Sequence, residues 1–269
     1  MRMGNVFGQL LGMRERFAFR VILFLIIFSL ILIPVASAKE KEKKVKVLKP
    51  ESSSEIILDS VTYTENEYGQ NVRIIGSRVA NGIPEGYHIQ INVEKGTYKT
   101  VKKENPVLLT SDESLSTAKL SEPSYVNNSF ETLSTTYWTA WVQTVTDDPV
   151  GEDLVSTKLR LTWADYGTTI GFISNELTTW TAFPSSFGTH WYLDNKTLFD
   201  PYLYYENQKL DQQGSARYYN YDFMNTALRT DVGHWIKITT FNNETYSYVV
   251  DWGRDGEYWW LLDLDVYTN

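Results

Sequence analysis

Late in the chain the sequence reads HWIKITTF, then NNE, then TYSYVVDW, and soon afterwards YWWLLDLDVYTN. In the last stretch Trp260, Leu262, Leu264 and Val266 fall on one face of an extended segment, and Asp263 and Asp265 fall on the other. A side-chain period of two with one apolar face is what a half-buried β-strand requires. The Asn-Asn-Glu between two such runs predicts a hairpin. STKLRLTW and YWTAWVQTV carry the same pattern, and no stretch offers a convincing helical period of useful length. Many short strands joined by Asn, Asp and Gly turns predict an all-β protein whose C-terminal domain is an antiparallel sandwich or jelly roll.

The opening of the chain is of another kind. Arg14, Arg16 and Arg20 precede the apolar run VILFLIIFSLILIPVASA, which ends in the small-x-small pattern Ala36-Ser37-Ala38. Residues 1–38 therefore read as a cleaved signal peptide, with an uncleaved anchor through residues 21–38 as the rival. Either way the body of the protein is expected outside the cytoplasm, secreted or tethered to the outer face of the cytoplasmic membrane. Cysteine is absent, so an exported body must be held by an ordinary core rather than by disulfides.

Charge and aromatic content both change near residue 136. From Lys39 to Thr136 there are 13 basic against 14 acidic residues, whereas from Tyr137 to Asn269 there are 8 against 18. All nine Trp lie at or after Trp138. These shifts predict a boundary, giving a charged tether at 39–55, a small β-rich segment or propeptide at 56–102, a Ser/Thr-rich linker at 103–136 and an acidic, aromatic-rich domain at 137–269. The acidity argues against nucleic acid or anionic lipid as partners, because both recruit basic patches. Membrane contact is expected only through residues 21–38. WTAW at 138–141 echoes WTAF at 180–183, but four residues are too few to establish a repeat.

Three groups of residues are candidates for function. TDDPVGEDL (146–154) holds Asp147, Asp148, Glu152 and Asp153 around a Pro and a Gly. Clustered carboxylates on a turn can supply oxygens to calcium, yet the spacing is not that of an EF-hand, and Asp and Gly are also ordinary turn residues. The turn is the preferred reading, with calcium as the candidate cofactor if there is one. The aromatic clusters YLYY, RYYNY and YWW place neighbours on opposite faces of a strand, so some rings must point outward. Tyr204, Tyr219, Tyr258 and Trp259 are the candidates for a ligand platform, Trp259 because Trp260 shares its register with Leu262. Asn127, Asn195 and Asn243 begin N-x-S/T sequons, with Asn243 at the expected hairpin tip. His88, His190 and His234 show no close metal-ligand spacing.

Nucleophile-elbow, zincin, P-loop and dinucleotide-binding motifs are all missing. The leading expectation is thus a non-enzymatic exported or surface-tethered module that binds a glycan or a surface protein through an aromatic face. A polysaccharide hydrolase working through Asp or Glu, and a structural or protein-interaction module of the cell surface, are the alternatives.

Overall fold

The computed structural model describes residues 44–56, 58–65, 69–103, 135–182, 190–223 and 228–269. The expected signal peptide (1–38), nearly all of the Ser/Thr-rich linker and the Asn127 sequon lie outside them. Among the described residues there is no α-helix, and no helix is long and apolar enough to cross a membrane.

Fourteen strands follow one another: β1 (Lys44–Pro50), β2 (Ser60–Glu65), β3 (Gly69–Val79), β4 (Glu85–Asn92), β5 (Thr97–Lys103), β6 (Thr136–Asp147), β7 (Asp153–Asp165) and β8 (Ile170–Thr181). They continue as β9 (Trp191–Leu198), β10 (Tyr202–Tyr204), β11 (Lys209–Asn220), β12 (Thr230–Phe241), β13 (Thr245–Gly256) and β14 (Asp263–Thr268). The runs expected from their period become β6, β7, β12, β13 and β14. The β12–β13 hairpin turns through Asn242–Glu244, with Glu244 in the left-handed region that closes the turn.

Hydrogen bonds link the strands in the order β10-β11-β12-β13-β3-β2-β1-β5-β4-β14-β6-β7-β8, with β9 also pairing with β11. Every pairing is antiparallel except the short parallel contact of Lys49 and Pro50 in β1 with Thr97 and Tyr98 in β5. The two ends approach one another, for Ile170 N donates to Asn207 O at 2.7 Å and Asn175 Nδ2 to Gln212 Oε1 at 2.7 Å. The sheet is nearly closed in the manner of a barrel, which leaves little free strand edge.

This topology corrects the expected domain plan. β13 pairs with β3 along eleven residue pairs from Thr245↔Val79 to Asp255↔Gly69, and β14 lies between β4 and β6. Residues 43–269 form one compact unit, so the composition break at 136 divides the sequence but not the sheet. The 56–102 segment supplies interior strands, and Lys44–Pro50, expected within a flexible tether, is β1. The charged run can be a strand because Leu48 alone of its side chains is buried. Its lysines stay in water while its backbone pairs with β2.

Alternation builds the core. Val72 and Ile74 of β3, Ile236 and Ile238 of β12 and Val250 of β13 face Val142 of β6, Leu159 and Leu161 of β7 and Leu264 of β14 in one continuous apolar cluster. Burying each such side chain is worth about 1.5–3 kcal/mol. Through its middle runs a polar chain with one consistent direction. Tyr218 Oη donates to Ser156 O at 2.6 Å, so it accepts from Thr157 Oγ1 at 2.7 Å. Thr157 Oγ1 then accepts from His234 Nδ1 at 3.0 Å, leaving His234 Nε2 to accept from Thr146 Oγ1 at 2.8 Å. Thr146 Oγ1 in turn accepts from Trp252 Nε1 at 2.9 Å. Only a neutral His234 with its proton on Nδ1 satisfies every member. Full burial holds its pKa down at about 3.

Candidate functional site

The outward face of β11–β12–β13–β3 carries a groove of about 340 Å³. Cross-strand register sets its rows. Arg217, Gly233, Gly253 and Asn71 form one row of its lining, and Asp231 and Asp255 line it beside them. Tyr192 and Tyr219 continue that bank beyond the groove, and Trp235, Asp251 and Arg73 form the next row on the other side. The floor is glycine, and a methyl group added at Gly233 would meet nothing within 4 Å. A glycine inside a strand is one way to leave room for a ligand or another backbone to approach closely.

The first bank is a pile of flat groups. Tyr192 and Tyr219 stack at 5.3 Å between centroids, His190 stacks on Tyr192 at 6.4 Å, and Tyr221 meets Tyr219 edge-on at 5.4 Å. The Arg229 guanidinium lies 4.7 Å over the Tyr219 ring and is held there by a two-pronged bond to Asp231, at 2.6 and 2.5 Å. Asp222 accepts from His190 N at 2.8 Å and bonds its Nδ1 at 2.5 Å, fixing the end of the pile. On the far bank Arg73 grips Asp251 at 2.8 and 2.7 Å. Burial, reinforced by Asp231, pushes the Asp255 carboxyl up, while Arg217 and Arg229 pull it back. Such a groove offers ring faces for C–H surfaces and fixed planar donors and acceptors for hydroxyls. Tyr219, expected as a ligand contact, sits in the middle of the bank.

The acidic loop behaves as the turn it was expected to be, with one exception. Asp148 Oδ1 accepts from Val150 N at 3.0 Å and Glu152 N at 2.9 Å, and Gly151 takes a positive φ. Glu152 is exposed. Asp147, by contrast, is 1% exposed on the outward side of β6, and neither carboxylate oxygen has a hydrogen-bond partner. Register places it across from Asp153 on one side and Asp263 on the other. It lines a cleft of about 390 Å³ with His88, Lys103 and Asp263. Behind it Asp265 accepts from Tyr267 Oη at 3.1 Å, pairs with Lys103 Nζ at 2.7 Å and bonds His88 Nδ1 at 2.7 Å. Burial, then the charges of Asp265 and Asp153, push the Asp147 carboxyl far above the carboxylate range. Burial also works against ionising Asp265, but its bonds from His88 and Lys103 outweigh it and hold that carboxyl low. One donor atom from each of His88, Asp147 and Asp265 lies within 4.8 Å of the others, so this group could hold a metal ion.

The remaining candidates disperse. Tyr204 is half-buried with its hydroxyl donated to Asp211 at 3.0 Å, and Tyr202 and Tyr205 stand exposed around it. Trp260, expected on the buried face with Leu262, is instead exposed, and Trp259 stays off the core. Tyr258 adopts φ 57° and residues 259–261 form a 3-10 turn, so the period of two stops at Leu262. Trp260 is exposed, Trp259 is half-buried under the Arg254 guanidinium, and Tyr258 packs against the core. Asn195 is exposed on β9, and Asn243 is exposed at its hairpin tip.

His88, Lys103, Asp265 and most of the groove were not singled out from the sequence. Two signals were present. Asp263 and Asp265 share the outward face of a strand, and the glycines of DVGHW and DWGRDG interrupt two otherwise regular strands. No protein-family model, curated protein or solved structure matches this chain.

Proposed function

We propose that this protein is an exported, non-enzymatic binding module that takes an extracellular glycan along the groove of β11, β12, β13 and β3. The observation that carries the reading is the glycine floor between the Tyr192–Tyr219–Arg229 pile and the Trp235 bank. A flat floor lets a sugar ring come down on the sheet, and the carboxylate and guanidinium groups beside it are already held in place, so little ordering cost remains on binding. The two faces of the nearly closed sheet serve on this reading as a sandwich-like scaffold. Export through residues 1–38 supplies the compartment in which such a ligand occurs.

The test is retention of the full chain on a panel of immobilised polysaccharides, with and without EDTA, scoring released oligosaccharides in the same tubes. Gly233→Val fills the floor where nothing lies within 4 Å, so it should abolish retention while leaving the melting temperature within a few degrees. Tyr219→Ala should weaken it by about 1–2 kcal/mol. Retention that survives Gly233→Val would remove the groove from the account, and no retention across the panel would leave a protein-interaction module. A second reading, a polysaccharide hydrolase, is favoured by Asp231 and Asp255 facing each other across β12 and β13. Released products abolished by Asp255→Asn would establish it instead.

A further inference from the structure

We propose that the cleft between β4, β6 and β14 is a site for a divalent first-row transition metal of the zinc class, bound by His88, Asp147 and Asp265, and that the Lys103 ammonium competes with the metal for the same carboxylates. The site belongs to different strands from the groove and does not depend on the glycan reading.

Placement comes first. The three donors come from strands adjacent in the order β4-β14-β6, with His88 directly opposite Asp265 and Asp147 opposite Asp263. Their ligand atoms already lie within 4.8 Å of one another on a hydrogen-bonded sheet. A site built on strands needs little reorganisation to close on an ion.

The second argument is the unmet demand of Asp147. A carboxylate 1% exposed with no hydrogen-bond donor at either oxygen is costly to bury. Asp265 is different, being served by His88, Lys103 and Tyr267. The nearest cation to Asp147 is Lys103 Nζ at 3.8 Å, which is engaged at 2.7 Å with Asp265. Asp153 and Asp263 flank Asp147 in register and add further negative charge. With Lys103 committed to Asp265, a proton is what keeps Asp147 buried in the metal-free protein, and a divalent ion entering the cleft takes that proton's place.

The donor set then chooses the ion. An imidazole nitrogen with two carboxylates suits zinc and its neighbours, with a fourth position toward the cleft for water. Calcium prefers six to eight oxygens, and the carboxylate on the adjoining turn best placed to add them, Asp148, is bonded to its own backbone amides. The side chain of Lys103 is 35% exposed on a flexible stem, so it can swing out when a metal enters.

The experiment is equilibrium dialysis of the full chain, stripped with chelator, against Zn²⁺, Co²⁺ and Ca²⁺ in turn. One Zn²⁺ per chain is expected, with Co²⁺ giving a visible absorption band and Ca²⁺ not competing. Asp147→Asn and His88→Gln should each weaken Zn²⁺ by at least the roughly 10–100-fold typical of losing a supporting partner. Lys103→Met should tighten it. His190→Gln, which removes the surface imidazole paired with Asp222, should change nothing. Unaltered Zn²⁺ affinity in both ligand variants would overturn the proposal, as would preferential binding of Ca²⁺. Should either ligand variant fail to fold, Lys103→Met still decides. If that variant loses stability without gaining affinity, the aspartates are built around the lysine and not around a metal.

Discussion

Replacing His234 by Gln should produce a stability loss that depends on pH in a calculable way. His234 is 1% exposed, edge-on to Tyr218 at 5.4 Å, and its proton sits on Nδ1 because the chain from Trp252 to Ser156 has no place for a second one. Protonating Nε2 would set two donors, that nitrogen and Trp252 Nε1, against Thr146 Oγ1 and strand the Thr146 proton. The folded protein therefore keeps the imidazole neutral down to about pH 3, whereas the unfolded chain takes up a proton below about 6.5. The folded pKa is the depressed one, so this contribution is fully present above pH 6.5 and is lost as the pH falls toward 3. At pH 5 the loss amounts to about 2 kcal/mol, at 1.36 kcal/mol for each unit below the unfolded value. Asp147 titrates in the opposite sense. Its carboxyl is held protonated in the fold, which favours the folded state at low pH and is lost as the pH rises. Subtracting the variant from the wild type cancels Asp147 and isolates His234. The Gln variant should be less stable by about 1–3 kcal/mol at pH 8, from an imperfectly satisfied network, and that deficit should shrink by about 2 kcal/mol at pH 5. Urea unfolding followed by tryptophan fluorescence at the two pH values measures both quantities, with equal slopes required for the comparison. A deficit identical at pH 8 and pH 5 would refute the neutral, buried imidazole.

Two further outcomes follow from the fold. Gly76→Ala should destabilise by about 1–3 kcal/mol, because the new methyl would press on the Tyr248 ring, whose hydroxyl is fixed to that of Tyr87 at 2.5 Å; a thermal melt showing no loss would mean that Tyr248 is free to move. A protease site placed within 104–134 and cleaved should leave the two pieces together through gel filtration, since β3 is bonded to β13 and β4 to β14; separation of the pieces would restore the propeptide reading of 56–102.

What the sequence discloses here is local, and what it conceals is pairing. Alternation in HWIKITTF, TYSYVVDW and LDLDV fixes each strand and its inward face, because a one-residue slip would expose the whole apolar set. It does not fix the neighbour. β14 could have paired with β13, the strand before it, and instead lies between β4 and β6. That placement alone brings His88, from a segment expected to be separate, against Asp265. The composition break misleads for a related reason. Both halves bury Val, Ile, Leu and Tyr, but the buried Trp side chains, Trp141, Trp163, Trp191 and Trp252, and outward rings such as Tyr192 and Tyr219 come from the late strands, so a single core reads as two compositions. The YWW stretch shows the other limit, since the period of two in LLDLDV does not extend back past Leu262 into DGEYWW. Gly256 at φ 84° and the turn after it break the strand there, and the glycine was the available sign.

The acidity of residues 137–269 resolves into two situations that composition cannot separate. On the groove face most of the acids are matched, Asp251 with Arg73, Asp231 with Arg229, and Asp211 with Lys237 at 2.5 Å, while Asp255 is pushed up by burial and eased by Arg217 and Arg229. Pairs of this kind add little stability where they are exposed. They do fix planar groups in position, which is what a surface for hydroxyl-rich ligands requires. At the β4–β6–β14 end the matching fails. Asp147, Asp153 and Asp263 are all pushed toward protonation, chiefly by burial, and Lys103 is shared between Asp147 and Asp265. A carboxylate that merely decorated the surface would turn outward and ionise at no cost. Asp147 is instead held by its register between Asp153 and Asp263, at a bulge where the pairing of β6 with β7 shifts between Thr146 and Asp147. His88 and Lys103 serve Asp265, and His88 and Arg254 ease Asp263, so Asp147 is the carboxyl left to a proton or to an incoming cation. On the proposed readings the groove takes a neutral, polar ligand, and the cleft an ion.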